Sequence, residues 1–462
     1  MKSICFFFQL HQPLRLKRYR FFEIGTDHYY YNDFANEDSV RYLADNCYLP
    51  ANRTLLEMIQ NTNGKFKVAF SISGVLLEQL EQYAPEVIDS FKELVDTGSV
   101  ELLGEPYAHS LSALYDENEF KAQVKRHSQK IESLFGQTPK VFCNTELIYS
   151  DEIGEYISKL GFKGALLEGA RHILGWKSAN YTYKHPYVDL TLLPRNTEMS
   201  DNIAFRFSNW GWDQYPLTAD KYINWVADMK DGEDFMVVGM NYGALGINNH
   251  VDSGIFEFFK ALPYQAMIKK VNFMTPSEVI AKSKNDDVLT TGEPISWADE
   301  EKDLSAWNGN DLQGEALQKL YAVSERVRLC TDRAIKYDWL NLQACDNFYY
   351  MSTKHFAGNT TAHTGPYESP YEAFMNYMNI LSDFLQRVDE QYPTTIDNEE
   401  LNSLLKTINN QESQIVELEE EIAKLKAGKK PAKAKEEPAV PKAKAKAAPK
   451  PKKAAAKKTT KK

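Results

Sequence analysis

The strongest constraint on this chain is an alternation. Short apolar runs at 3–10, 66–73, 100–103, 140–145, 163–167, 190–193, 204–207, 234–240 and 272–274 read as strands. Between several of them lie segments with helical periodicity, at 52–59, 75–82, 85–96, 117–135, 150–160, 219–228 and 254–260. Strand and helix in alternation give a parallel sheet with helices on its faces, and this many units predict a closed or nearly closed β/α barrel. From about residue 316 to 387 the pattern is mostly helical and predicts a helical domain packed on the barrel. In such barrels the chemistry sits where strands end. Polar clusters fall at those ends: His11-Gln12-Pro13, Glu105 to His109, Asn144-Thr145-Glu146, Glu168, Arg195-Asn196 and Asn241-Tyr242-Gly243.

Length and charge set the partners. At 462 residues the chain exceeds one ordinary domain, and 43% hydrophobic content supports a sizeable core. No apolar run reaches the ~18 residues of a transmembrane helix, and Met1–Pro13 lacks the design of a secretory signal, so no membrane partner is expected. The five cysteines are scattered without CxxC spacing, which disfavours disulfides and zinc and suits a reducing cytoplasm. The net charge of −10 conceals two regimes: 429–462 holds 14 Lys against two Glu, so the tail is +12 and the rest −22. An acidic body argues against nucleic acid there, while the tail alone could bind an anionic polymer.

The C-terminal region reads separately. Leu401, Ile408, Ile415 and Ile422 recur every seven residues, and Leu404, Gln411, Leu418 and Leu425 lie three residues after each. This predicts a parallel two-stranded coiled coil over 398–427, hence a homodimer through 401–425. The alternative is one amphipathic helix packed on its own chain. Residues 428–462, rich in Lys, Ala and Pro, have too little to bury and are expected to be disordered. The expected boundaries are thus 1–290 for the barrel, 291–395 for the helical domain, then coiled coil and tail.

Glu146 is the leading carboxylate, because it comes after an apolar Val-Phe-Cys run where a charge is costly unless paired or used. A salt-bridged core Glu is the alternative. His11 beside Gln12 could orient a polyhydroxylated ligand or be a satisfied core histidine. Trp210, Trp212, Trp297 and Trp307 are candidate sugar platforms or core residues. His11, His109 and a carboxylate lack the HxH or HExxH spacing of a metal site, and neither a P-loop nor GxGxxG occurs, so no metal and no cofactor are expected.

Five stretches carry a resemblance: His11–Pro13, Gly98–Ser110, Cys143–Asp151, Val237–Gly246 and Ile295–Trp307, flanked by 348–355 and 369–384. In this order they are similar to the motifs of glycoside hydrolase family 57, α-amylase type, over roughly residues 1–390. The resemblance implies an incomplete (β/α)7 barrel followed by a helical bundle, and retaining chemistry on α-glucans or maltooligosaccharides. It gives Glu146 the role of nucleophile. It gives substrate contacts to His11, Glu101 and His109, and it places Trp297 in the fifth motif. Gln12, Glu168, Arg195 and Trp212 join the binding residues by their places beside strand ends or in aromatic stretches.

The fourth motif departs from the family. Asn241 stands where an Asp general acid/base is expected, and Gly243 where a Glu is expected, although VVGM before and SGIFEFFKALP after both fit. An amide can hydrogen-bond a sugar but cannot release a proton near neutral pH. The resulting expectation is an α-glucan-acting protein with absent or reduced hydrolysis. The alternatives are a working α-amylase or 4-α-glucanotransferase whose acid has moved to Asp252, Asp213 or Glu105, and a structural or nucleic-acid-associated protein acting through its tail.

Overall fold

The computed structural model describes residues 2–354 and 365–391, with four further positions at 403, 407, 411 and 414. Nine strands form one sheet: β1 (Ser3–Leu10), β2 (Val68–Ile72), β3 (Val100–Leu102), β4 (Val141–Cys143), β5 (Gly164–Glu168), β6 (Tyr183–Lys184), β7 (Thr191–Arg195), β8 (Phe235–Asn241) and β9 (Asn272–Phe273). β1 is buried along its whole length. Its unbroken ICFFF run is what a parallel strand covered on both faces requires. Phe6, Phe8 and Leu10 pack outward against the helices, while Cys5 and Phe7 point into the barrel with Cys143, Leu166, Leu193 and Val237.

Seven parallel strands run in the order β3-β2-β1-β8-β7-β5-β4. The ring closes between β3 and β4 at Gly104, whose N–H donates to Val141 O (3.0 Å) and whose carbonyl accepts from Cys143 N (2.8 Å). A side chain at 104 would start 2.5 Å from the Phe162 ring, so only glycine lets the strands meet there. The other seam also rests on one pairing. β6 pairs antiparallel with Thr191 and Leu192, occupying the lower edge of β7, so β8 meets β7 only at Arg195↔Val237. This is the incomplete (β/α)7 barrel that the sequence leads one to expect. β9 adds a short parallel rung to β1.

The 204–207 run is not a strand. Asn196 accepts from Met199 N and starts a helix, Thr197–Ala204, that ends where the apolar run begins. A local cap overrides the β-like composition of the run beyond it. A second helix absent from the sequence reading, Asp33–Leu43, is likewise capped by Asn32. The helix expected at 254–260 runs on as Ile255–Lys269, through Pro263.

Downstream, helices at Ser305–Asn308, Asp311–Tyr321, Ser324–Leu329, Arg333–Leu342, Cys345–Tyr349 and Pro370–Gln391 form the helical part. They share a buried cluster with barrel residues, in which Phe142, Ile148 and Tyr149 meet Trp307, Phe348 and Phe384. Met1–Asn402 forms one compact unit. The expected coiled coil lies outside the described residues except Ser403, Thr407, Gln411 and Gln414, each helical and exposed, and the basic tail lies outside entirely. Among the described residues no helix is long and apolar enough to cross a membrane.

Candidate active site

A cavity of about 800 Å³ opens at the C-terminal ends of the strands, between the barrel and the helical part. Glu146, Arg195, Asn241 and Trp297 line it, together with Asp201, Phe205, Asp299, Trp307, Cys345, Asp346 and Lys354.

Glu146 sits just beyond β4 with φ of 49°, and Leu147 and His109 also lie in the left-handed region at 52°. Such conformations cost a non-glycine residue on the order of 1–3 kcal/mol and gather where a side chain must be aimed. The aim is visible in the contacts. Glu146 Oε1 lies 3.1 Å from His109 Nε2, and Glu146 Oε2 accepts from the Trp297 indole N–H. The Trp297 backbone N–H also donates to Glu146 O at 3.1 Å, and Tyr149 pairs with Ile295, so the fifth motif is strapped to the third.

Behind Glu146 runs a buried chain of titratable groups. His109 Nδ1 is 3.0 Å from Glu105 Oε2, both side chains almost fully enclosed. Burial alone would push the His109 imidazole down, but the hydrogen bonds and charges of Glu105 and Glu146 outweigh it and push it up to about 10. His109 is therefore a cation at neutral pH, held between two carboxylates. His11 stacks on it at 4.2 Å between ring centroids. Burial and the neighbouring His109 charge hold His11 below its usual value, against the pull of Asp346. His11 Nδ1 lies 2.7 Å from Ser73 Oγ, and Nε2 lies 3.0 Å from Asp346 Oδ2.

On the opposite wall Arg195 is 3% exposed. It donates to Glu168 (3.0 Å), to Asp201 (2.5 Å) and to the carbonyl of Gly239 (2.7 Å), and its guanidinium lies over the Trp297 ring. Burial would lower its proton affinity, but Glu168 and Asp201 more than compensate, so it stays charged. Glu168 is 1% exposed and reaches the cavity only through Arg195. Asn241 ends β8, faces solvent, and its Oδ1 accepts from Gly243 N at 2.9 Å.

Three residues expected at the site stand elsewhere. Glu101 is the middle residue of β3, and its carboxylate is directed away from the cavity, accepting from Ser277 N (2.9 Å) and Ser277 Oγ at the start of the helix Pro276–Lys282. It braces that helix and does not line the cavity. Trp212 is half-buried against the outer core with Trp225. Gln12 contributes a backbone carbonyl to Gln79 Nε2 (2.7 Å). Of the alternative acids, Glu105 is enclosed behind His109, while Asp213 and Asp252 do not line the cavity.

Sequence reasoning does not single out Cys345 and Asp346. They open a short apolar helix, Cys345–Tyr349, and a carboxylate in the first turn of CDNFYY is the available signal. One donor atom each from His109, Glu146 and Cys345 lies within 4.8 Å of the others, a grouping compatible with a metal ion.

A sequence profile described as glycosyl hydrolase family 57 matches residues 5–292. The chain belongs to glycosyl hydrolase family 57. It is 37% identical over 406 residues to a putative alpha-amylase of Methanocaldococcus jannaschii, covering 84% of this chain and 85% of that protein. In fold it resembles a GH57 branching enzyme of Thermococcus kodakaraensis (TM-score 0.60, 14% identity, 85% of this chain and 94% of that one). It also resembles a 4-alpha-glucanotransferase of Thermococcus litoralis, with TM-score 0.60 and 16% identity, covering 83% of this chain and 60% of that one. At these identities the likeness is one of fold, over more than four fifths of the present chain.

Proposed function

We propose that this family 57 protein binds α-glucan or maltooligosaccharide chains in the cavity, and that its hydrolytic turnover is absent or strongly reduced. One observation carries the reading: the residue at the end of β8, facing the same cavity as Glu146, is the amide Asn241. Retaining cleavage needs a second carboxyl about 5–5.5 Å from the first, to protonate the leaving oxygen and then activate water. The amide has the shape and the hydrogen bonds but no proton to give. Several other carboxylates in the cavity already have partners: Asp201 and Arg195, Asp299 and Glu301 with Lys354, and Asp346 with the His11 imidazole. Glu146 keeps the role of nucleophile, His109 and Trp297 hold its two oxygens, and Arg195 and Trp297 supply a charged and an aromatic wall for sugar. His11 contributes through its stack on His109. The α-glucan class rests on the family and on the relatives' names.

A second reading, an active α-amylase or glucanotransferase with a relocated acid, is favoured by Asp346, a carboxylate in the same cavity presented from the helical part. The deciding experiment is product formation from maltoheptaose, with Glu146→Gln as blank, beside binding of the same sugar. Binding with turnover at the blank level supports the first reading. Turnover that Glu146→Gln abolishes supports the second, and loss of binding overturns both. Asn241→Asp combined with Gly243→Glu should then raise turnover by about 10²–10⁴-fold, the usual worth of a general acid. The 401–425 heptads support a homodimer, which would raise avidity for a polymer. The buried, unpaired cysteines support a reducing cytoplasm. The +12 tail would hold an anionic partner. A nucleic-acid role confined to the tail predicts salt-sensitive DNA binding that vanishes on removing 429–462.

A further inference from the structure

We propose that His109, Glu146 and Cys345 form a binding site for a thiophilic divalent metal of the zinc type, placed on the nucleophile itself. This inference does not depend on glucan binding.

Three features of the geometry point there. The donor set is the first: an imidazole nitrogen, a carboxylate oxygen and a sulfur, all ligands that zinc accepts, with their donor atoms within 4.8 Å of one another. Bond lengths of about 2.0–2.1 Å to nitrogen and oxygen place two such atoms about 3.4 Å apart in a tetrahedral site. His109 Nε2 and Glu146 Oε1 already stand 3.1 Å apart. With a sulfur bond of about 2.3 Å the thiolate belongs about 3.6 Å from each, so a shift of about 1 Å in Cys345 completes the set.

The outer contacts are the second feature. Metal-bound imidazoles donate their other N–H to a carboxylate, and metal-bound carboxylates are hydrogen-bonded in turn. Here Glu105 takes His109 Nδ1 at 3.0 Å, and the Trp297 indole holds Glu146 Oε2. The imidazole and the carboxylate thus each have their non-ligating atom already fixed, and the atom left over points to the common centre.

The third feature is access. Glu146 and Cys345 line the open cavity, so an ion can enter, and a fourth position can be taken by water or a sugar hydroxyl. On binding, the ion replaces the proton shared by His109 Nε2 and Glu146, and the Cys345 thiol proton leaves to solvent. Because Cys345 comes from the helical part while His109 and Glu146 come from the barrel, the ion would also tie the two together.

The test uses cobalt(II) on the full-length, chelator-stripped protein. A thiolate-to-cobalt charge-transfer band with four-coordinate visible bands is expected at about one equivalent. Cys345→Ser should abolish the charge-transfer band. Glu105→Gln should keep the band and weaken affinity by about 10–100-fold, as loss of an outer partner does. Absence of the band in the wild-type protein, or its persistence in Cys345→Ser, overturns the proposal. X-ray absorption on the zinc-loaded wild-type protein decides the matter without any variant. One sulfur at about 2.3 Å supports the site, and a shell of nitrogen and oxygen alone refutes it.

Discussion

Arg195 offers the sharpest energetic test. Its side chain is 3% exposed and that of Glu168 fully buried, and the pair meets at 3.0 Å. Solvent therefore screens the interaction little. Arg195→Met keeps much of the side-chain volume but strips Glu168 of its cation, leaving Thr197 Oγ as the remaining side-chain donor to that carboxylate. A buried charge deprived of its partner costs about 3–5 kcal/mol. Glu168→Gln in the same background removes the orphaned charge. Replacing both members of a buried pair by neutral groups of similar size is often close to neutral. The double variant should thus recover most of the loss, with a coupling energy of about 2–3 kcal/mol. What stays lost is the Arg195 bond to Gly239 O (2.7 Å) and its bond to Asp201. Urea unfolding of the wild type, both single variants and the double variant gives the cycle. An Arg195→Met cost below about 1 kcal/mol, or a double variant as unstable as the sum of the singles, would refute the argument that desolvation dominates here.

Other outcomes rest on packing and charge. A Cβ at Gly239 would lie 1.9 Å from the Phe7 ring inside the barrel, so Gly239→Ala should cost about 3 kcal/mol by overpacking, read as a lower urea midpoint. Asp383 is held below the usual carboxylate range: burial opposes this, but hydrogen bonds from Tyr30, His28 and Gly25 N–H outweigh it. Its stabilisation is present above the ordinary carboxyl value near pH 3.8 and disappears as pH falls through the depressed one, so Asp383→Asn should flatten the acid limb of the stability profile. Deleting 398–427 should halve the mass measured by light scattering, and an unchanged mass would refute the coiled-coil dimer.

The legible part of the fold and site rests on physical locality. An apolar run ending in polar residues marks a strand's C-terminal end, and that rule alone brings His11, His109, Glu146, Arg195 and Asn241 to one end of the barrel. Glu101 shows where a motif outruns the rule. It is the middle residue of β3, and its carboxylate is taken by Ser277 at the start of the helix Pro276–Lys282 and not by the cavity. The 204–207 segment reads wrongly as a strand because a cap eight residues upstream, Asn196, decides its conformation. Cys345 and Asp346 are hidden for a different reason. They lie some 200 residues from Glu146 in sequence, and packing of the helical part alone carries them to it. Trp212 has the exposed-platform look of its neighbour Trp210, which is 83% exposed, yet one side of the loop turns inward onto Trp225.

The two seams of the barrel divide its strands into a pair of arcs, β3-β2-β1-β8 and β7-β5-β4. Glu146 comes just after a strand of one arc and Asn241 ends a strand of the other. Across the β7–β8 seam the backbone contributes little, and side chains do the stitching: Arg195 to Gly239 O, and Ser200 Oγ accepting from Gly239 N at 3.1 Å. The separation between Glu146 and Asn241 thus spans a seam with a single backbone pairing, Arg195↔Val237. Under the proposed reading, a carboxyl placed at 241 supplies an acid but not its distance from Glu146. A gain of turnover from Asn241→Asp would then depend on the packing across this seam as well as on the new carboxyl.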